Sequence, residues 1–152
     1  MAHKLIDKYF SKDDLKKISE AITENEKKTS GEIRVSVHEK RPFLMKKKSI
    51  RDLAVKEFHS LKMYKTIDKT GILIFLLLGE KSFYILADAG INEKVKQETW
   101  DNVRNKMQEA FKKGIFRDGI IAAINEMGDI LGAHFPIKPD DTNELSNEVV
   151  VK

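Results

Sequence analysis

The chain has 152 residues, 28 Lys and Arg against 24 Asp and Glu, a formal net charge of +4 and no Cys; 41% of it is hydrophobic and 34% charged. That length builds one domain around one sizeable core. Without Cys there is no disulfide framework, thiol nucleophile or thiolate-held zinc or iron–sulfur centre. A charge of +4 diluted over so many ions of both signs favours solubility and is a weak nucleic-acid signal.

Met1–Phe10 is charged and mixed, with no apolar h-region or small-residue cleavage site, so a secretory signal is not expected. The longest apolar run, Ile72–Leu78, is far short of the roughly 18 residues a spanning helix needs. A soluble, cytoplasmic protein without a membrane span is therefore predicted.

In chain order, Ser11 predicts an N-cap, with Asp13 and Asp14 complementing the dipole and Phe10 and Leu15 stapling the entry. Leu15, Ile18 and Ile22 carry that helix to about Lys28, and Thr29-Ser30-Gly31 breaks it. Glu32–Glu39 alternates, Ile33, Val35 and Val37 against Arg34, Ser36 and His38, which predicts a half-buried strand. Lys40–Lys48 is a basic loop without an acid. Ser49 caps a second helix, with Asp52 at N3 and Leu53, Ala54, Phe58 and Leu61 inward.

Ile72–Leu78, bounded by Gly71 and Gly79, reads as a central strand buried on both faces, and Phe83–Ala87 as its hairpin partner. Asn92 can cap the next helical stretch, where Trp100, Val103, Met107 and Phe111 keep helical spacing up to Gly114. Arg117–Phe135 is the last helix. Gly128 and Gly132 lie on one side of it, where a neighbouring backbone could approach, and Pro136 stops it. Residues 1–136 are the expected domain; Ile137–Lys152 reads as a polar tail, largely disordered unless docked.

The order α-β-α-β-β-α-α with a doubly buried strand predicts an α/β fold, a three-layer α/β/α sandwich around a mixed central sheet. A helical crossover makes strands one and two parallel. Their starts and the finish of strand three then share one end of the sheet. Glu32 opens strand one, Asp68 precedes strand two, Asp88 closes strand three, and Glu26 enters the same edge from the first helix. Hard cations take carboxylate and carbonyl oxygens, so this Gly-bearing acidic edge is a candidate Ca²⁺ or Mg²⁺ site. Loop acids at one end of a sheet are also simply solvated, and no EF-hand spacing is present.

The four His are scattered, and no His-x-x-x-His or Glu-x-x-His pair, nucleophile elbow, P-loop or dinucleotide fingerprint occurs. No catalytic residue is assigned. Lys40, Arg41 and Lys46-Lys47-Lys48 form the basic cluster. A solvated loop explains it; nucleic acid would want interleaved aromatics or a recognition helix, and an anionic membrane surface is a third reading.

Several segments together resemble the TPM domain family: Glu26-x-x-Thr29-Ser30-Gly31-Glu32-Ile33-Arg34-Val35, Thr70-Gly71-Ile72-Leu73-Ile74-Phe75, Asp88-Ala89-Gly90-Ile91 and Trp100. Phe116-x-x-Gly119, His134-Phe135-Pro136 and Asp141-x-Asn143-Glu144-Leu145 continue the match over nearly the whole chain. The resemblance implies an α/β/α sandwich. The family includes a plant thylakoid-lumen protein with acid phosphatase activity, a nematode membrane modulator of acetylcholine receptors, and bacterial proteins of which some bind divalent metals such as calcium at acidic loops. Glu26, Glu32 and Asp88 match the family's acidic positions. At Asp68-Lys69-Thr70-Gly71 the chain departs from a common Asp-Asn-Gly, which sets the acid one place further from Gly71.

The expected function is a binding or interaction module that takes a divalent cation, calcium or else magnesium, at Glu26, Glu32, Asp68 and Asp88, with a protein partner still to be identified. A metal-assisted acid phosphatase acting on phosphomonoesters is the alternative.

Overall fold

Ser11 starts the first long helix as expected. In the computed structural model, which describes residues 3–139 and 145–152, its hydroxyl accepts from the Asp14 N–H while the Asp14 carboxylate accepts from the Ser11 N–H, a complete capping box. Before it stands α1 (Lys4–Tyr9), a short helix absent from the sequence reading; it is followed by α2 (Lys12–Glu26). Then come β1 (Glu32–His38), α3 (Ile50–Ser60, capped by Ser49), β2 (Gly71–Leu77) and β3 (Ser82–Ala87). Short α4 (Ala89–Asn92), α5 (Gln97–Lys112), α6 (Arg117–His134) and β4 (Val150–Val151) complete the order.

The helical stretch after β3 is divided differently from expectation. Asp88 caps α4, Asn92 donates its side-chain amide back to the Ala87 carbonyl, and α5 begins only after Lys96.

The sheet order is β3-β2-β1-β4, with β1 parallel to β2 and β4, and β3 antiparallel to β2. Ile33, Val35, Val37, Ile72, Ile74 and Leu76 face a core shared with α2, α5 and α6. Leu73, Phe75 and Leu77 face a smaller core under α3, with Phe58 and Met63. This is the α/β/α sandwich.

The polar side of β1 does not face solvent, as alternation alone would suggest. Ser36 is fully buried and Arg34 is 9% exposed, because α3 and the chain end cover them. β4 docks along β1 at Ser36 and Val37, and Lys152 exchanges backbone hydrogen bonds with Val37 and Glu39. Residues 140–144, and with them most of the Asp141–Leu145 motif, lie outside the described residues.

α6 crosses α2 where Gly128 faces Asn25. A Cβ at Gly128 would overlap the Asn25 amide, and one at Gly132 would stand 3.0 Å from the Lys28 carbonyl oxygen. Both glycines therefore permit the close approach the sequence suggested. Among the described residues, no helix is long and apolar enough to cross a membrane.

Candidate functional site

Between α2 and β1 the chain must reverse within five residues, and its turn is tied to the end of α6. The Thr29 hydroxyl donates to the Phe135 carbonyl at 2.6 Å and accepts from the Gly31 N–H, and the Ser30 N–H donates to the same carbonyl. This clasp sets the last residue of α2, Glu26, beside the first rungs of β1.

The Glu32 N–H donates to the Thr70 carbonyl of the β2 side. By strand alternation the Ile33 N–H points the other way, toward the sheet edge. β4 pairs with β1 only from Ser36, so that edge amide has no strand partner; Glu26 Oε2 accepts its hydrogen at 2.8 Å. One job of Glu26 is thus to satisfy an otherwise buried edge donor.

The same geometry packs the Glu26 carboxyl against that of Glu32, which is only 3% exposed. Burial, and next the Glu32 charge, push the Glu26 carboxyl up to about 9, against a smaller opposing contribution from the Ile33 N–H. Two carboxylates cannot hydrogen-bond one another, whereas two carboxyls sharing one proton can. At neutral pH the pair holds a proton.

Asp88 lies elsewhere along this end. Its N–H donates to the Gly71 carbonyl, extending the β2–β3 ladder by one rung. Its Oδ1 caps α4 through the Ala89 N–H at 2.8 Å, while Oδ2 is buried and accepts no hydrogen bond from the described residues. Because Glu32 and Asp88 both stand opposite Gly71, their backbones are two strand spacings apart, roughly 10 Å. Asp68 is exposed and its Oδ2 forms an ion pair with Lys138 at 2.8 Å. The glycine-turn carbonyls of Lys69, Thr70 and Gly71 each already accept a backbone N–H.

The four acids thus share one end of the sheet but form two separate groups: Glu26 with Glu32 at the β1 edge, Asp68 and Asp88 on the β2–β3 side. Among the described residues, no three His, Asp or Glu side chains are gathered closely enough to hold one ion. The orphaned Asp88 oxygen and the proton-sharing Glu pair are what a cation would find attractive here.

A second polar cluster, unforeseen from sequence, sits at the opposite end of the sheet. Glu57 on α3 is 4% exposed and accepts from the Ser36 hydroxyl, from His38 Nε2 at 2.7 Å and from Lys152 Nζ at 2.9 Å. Burial pushes its carboxyl up, but the hydrogen bonds from His38, Ser36 and Lys152 outweigh that and hold it at about 2. His38 meets both Ser36 and Glu57 through the same ring nitrogen, and Ser36 is fully buried, so this is no hydrolytic triad. The sequence signal was Glu57 itself, four residues after Leu53 and four before Leu61, on the inner face of α3.

The model of the TPM domain family matches residues 6–130. The NMR structure of the BA42 protein from the psychrophilic bacterium Bizionia argentinensis is 37% identical, with a TM-score of 0.86 over 97% of this chain and 98% of that one. The N-terminal domain of the cg2496 protein from Corynebacterium glutamicum has a TM-score of 0.59 at 11% identity, over 93% of this chain and 80% of that one, and shares the fold. No curated protein matches.

Proposed function

The chain belongs to the TPM domain family, and from that premise we propose that it is a binding module whose acidic sheet edge takes a divalent cation, calcium before magnesium, centred on Glu26 and Glu32. The observation that carries this reading is the buried pair of carboxyl groups that holds a proton at neutral pH. A divalent cation relieves the same repulsion as that proton and supplies more charge. Asp88 offers its unpartnered oxygen from the β3 side, and Asp68 joins only on release from Lys138. Calcium suits such a site better than magnesium, because it tolerates irregular oxygen ligation.

The test is an NMR titration of the metal-free protein with Ca²⁺ and Mg²⁺. Saturable amide shifts centred on Ile33 and Glu32, with proton release on binding, are expected. They should vanish in Glu26→Gln/Glu32→Gln. A titration that leaves both amides in place refutes the site.

The second reading, a metal-assisted phosphomonoesterase, is favoured only by the family resemblance and rests on the same cation, which would polarise a phosphoryl oxygen. Turnover of a phosphomonoester that is unchanged in the double variant excludes it.

A further inference from the structure

The loop between β1 and α3 carries a feature the proposed cation edge does not use. Residues 40–48 hold Lys40, Arg41, Lys46, Lys47 and Lys48 and no acid. At the loop's tip a single turn, Phe43–Met45, presents Phe43 at 76% and Leu44 at 92% exposure. Two large apolar side chains are held in water with cations on either side.

The tip is braced rather than floppy. Arg41 Nη1 donates to the carbonyls of Met45, Lys46 and Lys48 at 3.0, 3.1 and 2.6 Å, while Nε and Nη2 grip Glu80 at 2.5 and 2.7 Å. Arg41 is therefore spent on closing the loop. Lys46 Nζ sits 4.6 Å from the centroid of the Phe43 ring. Among the described residues, Lys40, Lys46, Lys47 and Lys48 have no carboxylate partner. Behind the loop lies a cavity of about 310 Å³ to which Lys40 and Lys56 add cations, while Lys152 and His38 in its lining are already paired with Glu57.

Water alone is a poor partner for this surface, since Phe43 and Leu44 gain nothing from it. Nucleic acid would answer the lysines and could stack on Phe43, but it leaves aliphatic Leu44 unserved. An anionic bilayer answers both parts, with acyl chains for the tip and headgroup phosphates for the flanking lysines. We propose that the Lys40–Lys48 loop docks peripherally on anionic phospholipid surfaces, Phe43 and Leu44 entering the headgroup region.

The test is sedimentation of the full chain with phosphatidylcholine vesicles, with and without about a third phosphatidylserine. Wild type is expected to partition onto the anionic vesicles and not the neutral ones. Each lysine near such a surface is worth roughly a fivefold change. Lys46→Ala/Lys47→Ala/Lys48→Ala should therefore lose on the order of a hundredfold, and Phe43→Ser/Leu44→Ser at least about tenfold. Ile67→Ser removes another exposed apolar side chain, 83% exposed and at the opposite end of the parallel strands, and should change nothing. In Phe43→Trp the new indole, read against the buried Trp100, should shift to the blue with anionic vesicles. No preference for anionic vesicles, binding that survives the Phe43/Leu44 change, or binding lost in Ile67→Ser overturns the proposal.

Discussion

Glu26→Gln is the most direct probe of the candidate site. The folded chain keeps a proton on Glu26 up to about pH 9, from burial first and the Glu32 charge second, whereas the unfolded chain releases it near 4.5. Folding therefore takes up a proton across that window. The stability this group contributes is complete below about pH 4.5 and is lost as pH rises toward 9, at up to about 1.4 kcal/mol per pH unit. Between pH 5 and 7.5 that amounts to on the order of 3 kcal/mol, a slope that belongs to the Glu26–Glu32 pair jointly. Glutamine keeps an oxygen to accept the Ile33 N–H and cannot ionise. Urea unfolding, followed by the single, buried Trp100, should find wild type and variant similar at pH 5. At pH 7.5 the variant should be more stable by on the order of 3 kcal/mol. Saturating calcium should flatten the wild-type slope by replacing the proton. Parallel profiles for the two proteins would show that Glu26 is already ionised in the fold and would remove the argument for a charge-hungry edge.

Other substitutions test the frame around that site. Gly128→Ala sets a methyl against the Asn25 side chain, whose amide bonds Asn125 and the Ala21 carbonyl. Overpacking of about 1–3 kcal/mol should outweigh the gain of about 1 kcal/mol in helix propensity. A raised urea midpoint contradicts this. Glu57 gives the opposite pH signature, because its stabilisation is present above about pH 4.5 and disappears as pH falls toward 2. The Glu57 carboxyl borders a cavity open to solvent, and discounting the shift for that screening leaves about 2 kcal/mol, so Glu57→Gln should flatten the acid limb and lower stability at pH 7. Lys138→Ala breaks an exposed pair and should alter stability by no more than about 0.5 kcal/mol. The same variant tightens calcium binding if Asp68 is a ligand, and unchanged affinity in a calorimetric titration removes Asp68 from the set.

The layers of the fold were legible because each rests on a local pattern. Ile72–Leu78 is too apolar for anything but a strand covered on both faces, and Ser11 and Ser49 mark helix starts through hydrogen bonds three residues long. The elements that were missed lack such patterns. α1 has six residues, too few to show a period, and β4 is two valines whose partner lies more than a hundred residues away. Ser36 and His38 alternate with valines and so read as a wet face. Their burial depends on Glu57 arriving from another helix, which no strand period records.

Of the candidate site, what was legible is the end of the sheet at which its acids stand. Parallel pairing of β1 and β2, and the antiparallel return of β3, bring Glu32, Asp68 and Asp88 to one end of the sheet, where Glu26 also arrives. An end is not yet a site. The three strands that reach this end, β3, β2 and β1, span roughly 10 Å, whereas the oxygens around one calcium lie within about 5 Å of one another. Topology decides which end an acid occupies; the width of the sheet and the turns decide which acids meet. The Thr29–Phe135 clasp brings Glu26 onto Glu32, while the Asp88 carboxylate turns to cap α4 and Asp68 goes to Lys138. Any cation taken here would either be satisfied with the Glu pair and water or pull the Asp88 carboxylate across by its unpartnered Oδ2, loosening the cap that Oδ1 makes on α4. The Ala89 amide, which loses its acceptor only in the second case, tells the two apart.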